Sequence, residues 1–137
     1  MPLVPAPLLG RHVVADVEQC FHPLLDDAAG LELLLRDAAA AAGSTVLSGH
    51  HHGFEPHGAT ALCVLAESHI SIHTWPELGA ASLDAYTCGD QADPVLAVDH
   101  VLRVLAPGVV RQVLLSRGGD SLVATPAPWL ATAGAPR

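Results

Sequence analysis

The stretch Glu67-Ser68-His69-Ile70-Ser71-Ile72-His73-Thr74-Trp75-Pro76-Glu77 decides the fold of this chain. In residues 69–75, β-branched side chains alternate with polar and aromatic ones, which is the period of a strand with one buried face. Pro76 and Gly79 end the strand, and a helix is disfavoured because the proline would interrupt its next turn. The stretch therefore predicts a central strand that carries, on one face, His69, Ser71, His73 and Trp75.

This strand geometry bears on metal binding. On a helix, His69 and His73 would lie one turn apart and could bind the same zinc ion, but on a strand they lie about 13 Å apart. Three adjacent histidines, His50 to His52, fall in residues 49–58, which we predict to be a loop. Such a run is more typical of a solvated loop than of a metal site, so the sequence predicts no bound metal.

Composition restricts the possible functions. The 137 residues give room for one domain, and half of them are hydrophobic. Six basic residues against fourteen acidic ones give a net charge of -8, which argues against a nucleic-acid partner. All six basic residues are arginines. Without lysine, the chain cannot hold pyridoxal phosphate through a lysine or form a lysine Schiff base with a substrate.

Cysteine usage and hydropathy indicate the compartment. The three cysteines, Cys20, Cys63 and Cys88, form no CxxC pair and no even set, which fits reduced thiols better than a disulfide scaffold. The first nine residues contain three prolines and no basic residue, unlike a signal peptide, and no apolar run approaches the roughly 20 residues that span a bilayer. We therefore expect a cytoplasmic protein without membrane contact.

The remaining elements follow from apolar spacing and from cap residues. Asp26 or Asp27 can cap the first helix, Gly43 can end it, and Asp93-Pro94 is a strong start for the second. The predicted strands and helices are strand 11–20, helix 28–42, strand 44–48, strand 59–67, the central strand, strand 80–86, a helix from 94 to about 106, and strand 109–115, followed by a loose tail at 125–137. The order β-α-β-β-β-β-α-β predicts a two-layer α/β sandwich, with a largely antiparallel sheet and two helices on one face.

The central stretch resembles the signature ESHxxIHTWPE of the prokaryotic pyruvoyl-dependent S-adenosylmethionine decarboxylase proenzymes. Residues 79–89, GAASLDAYTCG, are similar to the family's GYAAxDxFTCG, and the resemblance extends to residues 9–12 and 54–58. It implies a two-layer α/β sandwich whose protomers pair as at least a homodimer. It also implies decarboxylation of S-adenosylmethionine to give the aminopropyl donor for spermidine synthesis.

The resemblance further implies that the chain makes its own cofactor. Decarboxylation of an α-amino acid needs an electron sink, which a carbonyl that condenses with the substrate amine provides. In this family the Ser68 hydroxyl would attack the Glu67 carbonyl. The chain would then separate into a beta chain, residues 1–67, and an alpha chain, residues 68–137, that begins with a pyruvoyl group derived from Ser68. Neither pyridoxal phosphate nor a metal is expected.

Catalytic and processing roles come from the same resemblance. Ser68, His73 and Cys88 are the expected catalytic residues, with Glu67 and Ser68 flanking the cleavage site. His73 would assist processing by moving the serine α-proton, and Cys88 would return a proton to the decarboxylated carbon. Thr60 stands where the family often has a serine that assists processing, and it keeps the hydroxyl.

Two residues are expected to bind the substrate. Phe54 matches a ring that stacks on the adenine and faces the sulfonium, where a cation over an aromatic face is favourable by about 0.5–2 kcal/mol. Glu77 matches a carboxylate that holds the ribose hydroxyls. In the family the pocket forms between protomers, so Ser68 and Cys88 would meet Phe54, His73 and Glu77 of a neighbouring copy.

Some positions depart from the family pattern and leave alternatives open. Leu78 and Ala80 replace tyrosines that many members carry, and Asp16 stands where a glutamate is usual, so a pyruvoyl-dependent arginine or ornithine decarboxylase is the alternative function. A non-catalytic homologue and, more weakly, a zinc hydrolase are the other hypotheses. We interpret a further set of residues as structural, solvated or capping: Glu18, Cys20, Cys63, Trp75, Pro76, Asp84 and Asp99.

Overall fold

The computed structural model describes residues 9–126 of the chain. Its strands and helices are β1 Gly10–Glu18, α1 Ala28–Ala41, β2 Val46–Gly53, β3 Ala59–Leu65, β4 Ser68–Trp75, β5 Ala80–Cys88, α2 Pro94–Leu105, β6 Val109–Arg117 and β7 Val123–Pro126, with short 3₁₀ turns at Pro23–Asp26 and Pro76–Leu78.

The strands form one antiparallel sheet of seven, in the order β2-β3-β4-β5-β1-β6-β7. Both helices pack on the same face of this sheet and contact each other. The core between the layers is built from small and branched apolar side chains, among them Val13, Leu35, Ala61, Ile72, Leu83 and Val101. This architecture confirms the predicted α/β sandwich with two helices on one face of a largely antiparallel sheet.

The central strand β4 has the predicted alternation. Ile70 and Ile72 are fully buried against the helical layer, and Thr74 is 5% exposed. The Thr74 hydroxyl is hydrogen-bonded inside the core, because it donates to the carbonyl oxygen of Leu25 at 2.6 Å. The other four side chains, His69 to Trp75 at every second position, therefore lie on the opposite face of the sheet.

The helix starts are also confirmed. Asp27 caps α1, where its carboxylate accepts a hydrogen bond from the backbone N–H of Gly30 at 2.9 Å. Asp26, the other candidate, accepts instead from the backbone N–H of Gly58. Asp93 caps α2 through the N–H of Val95, with Pro94 at the first helical position.

Two predictions at the sheet edges are wrong. Residues 49–58 are not all loop, because β2 continues to Gly53 and its histidines pair with β3, His50 with Leu62 and His52 with Thr60. An edge strand needs only backbone hydrogen bonds on one side and tolerates exposed polar side chains, so its composition resembles that of a loop. The added strand β7 includes Thr125 and Pro126, which we predicted to be tail. The rest of that tail lies outside the described residues.

The face of the sheet opposite the helices is hereafter called the open face. Within residues 9–126, no helix packs on it. It carries most of the polar residues of the central strands: His12 and Asp16 of β1, Thr60 of β3, His69, Ser71 and His73 of β4, and Ser82, Asp84, Tyr86 and Cys88 of β5. In the described part of the chain, neither helix is long and apolar enough to cross a bilayer.

Candidate active site

Ser68 lies at the end of a tight hairpin between β3 and β4. Leu65 pairs directly with Ser68, so only Ala66 and Glu67 connect the two strands. Two-residue hairpins favour turns that need positive φ at a central residue, usually glycine, asparagine or aspartate. Neither Ala66 nor Glu67 has a positive φ, and Ser68 adopts φ 147° instead. The residue with the unusual backbone conformation in this hairpin is therefore the serine itself.

The peptide bond that precedes Ser68 is held on both sides. The backbone N–H of Cys88 donates to the carbonyl oxygen of Glu67 at 2.9 Å. The Glu67 carboxylate accepts from the backbone N–H of Thr45 at 3.0 Å, which ties the hairpin to the residues before β2. A donor aimed at a carbonyl oxygen stabilises negative charge that develops there when a nucleophile attacks. The Glu67 carbonyl is thus polarised in the direction that attack by a neighbouring hydroxyl requires.

Cys88 lies beside this peptide bond and differs from the other two cysteines. It is half-buried and lines, together with Glu67, a cavity of about 620 Å³ that also borders Leu9, Gly10, Arg11 and Arg117. Cys20 and Cys63 are fully buried, and burial raises the pKa of both thiols. Their burial agrees with a structural role, whereas Cys88 is open to a ligand.

The other predicted residues lie at the opposite end of the sheet. The ring nitrogen Nδ1 of His73 and the Thr60 hydroxyl are hydrogen-bonded at 3.0 Å, across the β3–β4 pair. Phe54, just beyond β2, is half-exposed and packs edge-on against His52. Glu77 is exposed on the 3₁₀ turn after β4. His73, Thr60, Phe54 and Glu77 thus share one end of the sheet, and Ser68 and Cys88 share the other.

These two groups cannot meet within one chain. Ser68 and His73 are five residues apart on β4, and an extended strand rises about 3.3 Å per residue, so their α-carbons lie about 17 Å apart. A hydrogen bond or a proton transfer requires about 3 Å. Each protomer therefore carries both groups of predicted site residues, but the two groups lie too far apart to form one site within that protomer.

A polar network that the sequence did not predict lies between the two groups. One carboxylate oxygen of Asp84 accepts from His12 at 2.6 Å and from His69 at 2.8 Å, and Ser71 donates to the other. The guanidinium of Arg117 lies 3.1 Å from Nδ1 of His12 and can only donate, so this nitrogen accepts and Nε2 carries the proton given to Asp84. The interpretation of Asp84 as solvated or capping is therefore wrong.

The network sets the charges of its members. Burial disfavours the charged form of Asp84, but hydrogen bonds from His69, Ser71 and His12 outweigh it and lower its pKa to about 2. The hydrogen bond to Asp84 raises the pKa of His69, against a smaller opposing effect of burial. Asp84 is accordingly a carboxylate with its hydrogen-bonding capacity satisfied from within the protomer.

Three residues of this network have donor atoms that could hold a metal. Among the described residues, His12, His69 and Asp84 form the only cluster of three potential ligands, with donor atoms within 4.8 Å of one another. Both imidazole contacts to Asp84 have hydrogen-bond distances, and His12 is already engaged by the positively charged Arg117. The arrangement is that of a closed hydrogen-bond network.

Fold and site together define a two-layer α/β sandwich protein with a serine at a strained hairpin beside a half-buried thiol. The family model described as S-adenosylmethionine decarboxylase matches residues 11–118. The chain belongs to the S-adenosylmethionine decarboxylase family.

Individual relatives agree with this assignment. The chain is 47% identical over 118 residues to the S-adenosylmethionine decarboxylase proenzyme of Brevibacillus brevis, an alignment that covers 85% of this chain and 89% of the relative. It is 41% identical over 110 residues to the proenzyme of Methanococcus maripaludis, with 80% and 90% covered. The crystal structure of the adenosylmethionine decarboxylase from Aquifex aeolicus superposes with a TM-score of 0.77 at 40% identity, over 82% of this chain and 93% of that one.

Replacement of Asp84 by asparagine is expected to reduce the acid sensitivity of the fold. Because the folded-state pKa is lowered from 3.8 to about 2, the carboxylate contributes stability that is present above pH 4 and is lost as the pH falls toward 2. The contribution corresponds to about 2 kcal/mol. Urea unfolding at pH 6 and at pH 2.5 should show a smaller loss of unfolding free energy for Asp84→Asn than for wild type. Asp37→Asn, which changes an exposed carboxylate of α1, should lose as much as wild type.

His69 should give the opposite trend at higher pH. Its pKa is raised in the folded state, so its contribution to stability is complete below pH 6.5 and is lost as the pH rises through the folded-state value. We expect the unfolding free energy of wild type to fall between pH 6 and pH 9, and the fall to be smaller in His69→Gln. An equal slope in both proteins would contradict the coupling between His69 and Asp84.

Proposed function

We propose that the chain is a self-processing S-adenosylmethionine decarboxylase. It cuts itself between Glu67 and Ser68 into residues 1–67 and 68–137, and Ser68 becomes a pyruvoyl group. The observation that carries the proposal is the φ of 147° at Ser68, next to a Glu67 carbonyl that accepts a hydrogen bond from Cys88. Unusual backbone conformations in non-glycine residues cost about 1–3 kcal/mol and cluster at functional sites.

The proposed cleavage proceeds through an ester and a dehydroalanine. Ser68 Oγ attacks the carbonyl carbon of Glu67, and the C–N bond breaks to leave an ester and a free amine on residue 68. Removal of the α-proton of residue 68 then breaks the ester bond at the serine β-carbon, which releases the new C-terminal α-carboxylate of residue 67 and leaves a dehydroalanine. Water replaces its nitrogen, so ammonia departs and a ketone remains. His73 moves the α-proton and Thr60, hydrogen-bonded to it, orients the imidazole.

The site fits such a group at residue 68. The α-carbon of a pyruvoyl group is planar and carries no chain before it, so the strained φ no longer exists after cleavage. Residue 68 is half-buried, and its neighbours Glu67 and Cys88 border the large cavity. When present, the pyruvoyl carbonyl supplies the electron sink that decarboxylation needs.

A second copy of the chain would complete the site. We infer a two-fold homodimer formed by the open faces, which brings His73, Thr60, Phe54 and Glu77 of one protomer to the end of the sheet at which Ser68 and Cys88 of the other protomer lie. Val14, Val64 and Val113 are each more than one-third exposed on the open face and would be buried by this pairing. The Asp84 network is already hydrogen-bonded within each protomer, so its burial leaves no unpaired charge.

The remaining roles concern the substrate. Phe54 would stack on the adenine and face the sulfonium, and Glu77 would accept hydrogen bonds from the ribose hydroxyls. Cys88 would give its thiol proton to the carbon that loses carbon dioxide. The relatives named above are S-adenosylmethionine decarboxylases, which favours S-adenosylmethionine over arginine or ornithine. The product would serve as an aminopropyl donor in polyamine synthesis. Three free thiols agree with a location in the reducing cytoplasm.

Mass spectrometry of the purified protein tests the proposal. We expect two chains, one that ends at Glu67 and one that begins at residue 68. The second chain should carry a terminal ketone that borohydride reduces. The cleaved protein should release carbon dioxide from carboxyl-labelled S-adenosylmethionine and none from arginine or ornithine. A single intact chain of 14.1 kDa after prolonged incubation would overturn the proposal. Release from ornithine or arginine alone would overturn the substrate assignment and leave the processing intact.

A further inference from the structure

Tyr86 lies on the open face of β5, two residues before Cys88 and therefore on the same side of the sheet. Its ring reaches toward the end of the sheet where Cys88 lies. A Cβ atom at Gly10 would be 2.5 Å from Cε1 of Tyr86 and 2.7 Å from its hydroxyl oxygen. Gly10 pairs directly with Cys88 across the β1–β5 ladder. The Tyr86 hydroxyl thus occupies the side-chain space next to Cys88, which only a glycine at position 10 leaves free.

The tyrosine ring is fixed from several sides. The guanidinium carbon of Arg117 lies 4.6 Å from the ring centroid, in a cation–π arrangement. The ring of His12 packs against it at 5.2 Å between centroids. Arg117 is hydrogen-bonded to His12, and His12 is hydrogen-bonded to Asp84. The position of the tyrosine hydroxyl is therefore determined by the polar network of the open face.

The hydroxyl and the Cys88 side chain are neighbours on this face. The nearby Cys88 side chain raises the pKa of Tyr86, and burial acts in the same direction. The tyrosine consequently keeps its proton well above neutral pH. A neutral phenol donates a hydrogen bond, which the sulfur of a thiol or a thiolate can accept.

We infer that Tyr86 is a positioning residue for Cys88, holding the sulfur by a hydrogen bond and stabilising the thiolate that forms when Cys88 gives up its proton. The inference rests on the proposed function for the destination of that proton. The S–H bond breaks, the proton moves to the carbon that has lost carbon dioxide, and the electron pair stays on the sulfur. The Tyr86 O–H then donates to the negative sulfur, and solvent returns the proton.

The chain offers a direct probe, because Tyr86 is its only tyrosine. Phenolate absorbance near 295 nm therefore reports the ionisation of Tyr86 alone. We expect the titration midpoint of wild type to lie above 10 and that of Cys88→Ala to fall toward the ordinary value. Cys88→Ser, which keeps a hydrogen-bonding side chain, should lie between them. Identical midpoints in wild type and Cys88→Ala would overturn the inference.

A second measurement follows the thiol. In the native protein Cys20 and Cys63 are fully buried, so iodoacetamide should react with Cys88. Tyr86→Phe keeps the ring and its packing but removes the hydroxyl, and we expect alkylation at pH 7.5 to slow about three- to tenfold because the thiolate loses a donor. In the decarboxylation assay, kcat should fall by a similar factor with KM unchanged. An unchanged alkylation rate would overturn the inference.

The coupling of Tyr86 to Cys88 and the decarboxylation of S-adenosylmethionine can be measured independently. Both the tyrosine titration and the alkylation can be performed on uncleaved protein and do not require turnover. If the chain proves inactive but the two side chains are coupled, the hydrogen bond stands and the decarboxylase assignment falls. If it decarboxylates S-adenosylmethionine but shows no coupling, the assignment stands and the role of Tyr86 falls.

Discussion

Co-expression of a His73→Ala chain with a Ser68→Ala chain is expected to give cleavage of about half of the His73→Ala chains, although neither variant is cleaved alone. In a mixed dimer the His73→Ala chain keeps its Ser68, and its partner supplies the intact His73. At equal expression and random pairing, about half of the His73→Ala chains belong to mixed dimers. The Ser68→Ala chain should remain uncut in every combination. Distinct affinity tags and denaturing electrophoresis separate the two chains.

The physical basis of this result is the length of β4. Along one strand, the roughly 17 Å between Ser68 and His73 exceeds by several-fold the reach of a proton transfer, so a site that uses both residues needs them from different chains. His57→Ala, which alters an exposed histidine after β2, is the matched control and should be cleaved alone. Cleavage of the His73→Ala chain by itself, or no cleavage in the mixture, would contradict a site shared between protomers.

Much of this geometry could be predicted from the period of the central stretch. Alternation in residues 69–75 correctly assigned the buried and open faces of β4, and the Asp–Pro pair correctly located the start of α2. These features depend on neighbours within a few residues, which a sequence displays directly. The extent of β2 could not be found in the same way, because its histidines are held by backbone pairing with β3 rather than by any side-chain pattern.

The Asp84 network marks the limit of local patterns. His12 and Asp84 are 72 residues apart, and they meet because β1 pairs with β5 in a register that places Val14 opposite Asp84 and His12 opposite Tyr86. A shift of that register by one residue would move each side chain to the other face. The one available signal was that His12, Asp84 and His69 all fall on the polar side of alternating strands. That signal gives their face but not their contact.

The clearest test of the strained hairpin compares two variants that cannot be cleaved. Ser68→Ala and Ser68→Gly both lack the attacking hydroxyl, so each should remain a single intact chain. They should differ in stability, because alanine must keep the φ of 147° whereas glycine adopts such angles freely. The strain of about 1–3 kcal/mol is partly offset by the greater flexibility of unfolded glycine, so we expect Ser68→Gly to be more stable by about 1 kcal/mol in urea unfolding.

This comparison separates two explanations of cleavage at residue 68. If the backbone angle stored no free energy and cleavage depended only on the hydroxyl, the greater flexibility of unfolded glycine would make Ser68→Gly the less stable of the two variants. If the hairpin is strained, cleavage releases that strain, because the α-carbon of residue 68 no longer follows a peptide bond. Ser68→Cys retains a nucleophile and should therefore still be cleaved, slowly. Intact Ser68→Cys together with cut Ser68→Ala would refute attack by the residue 68 side chain.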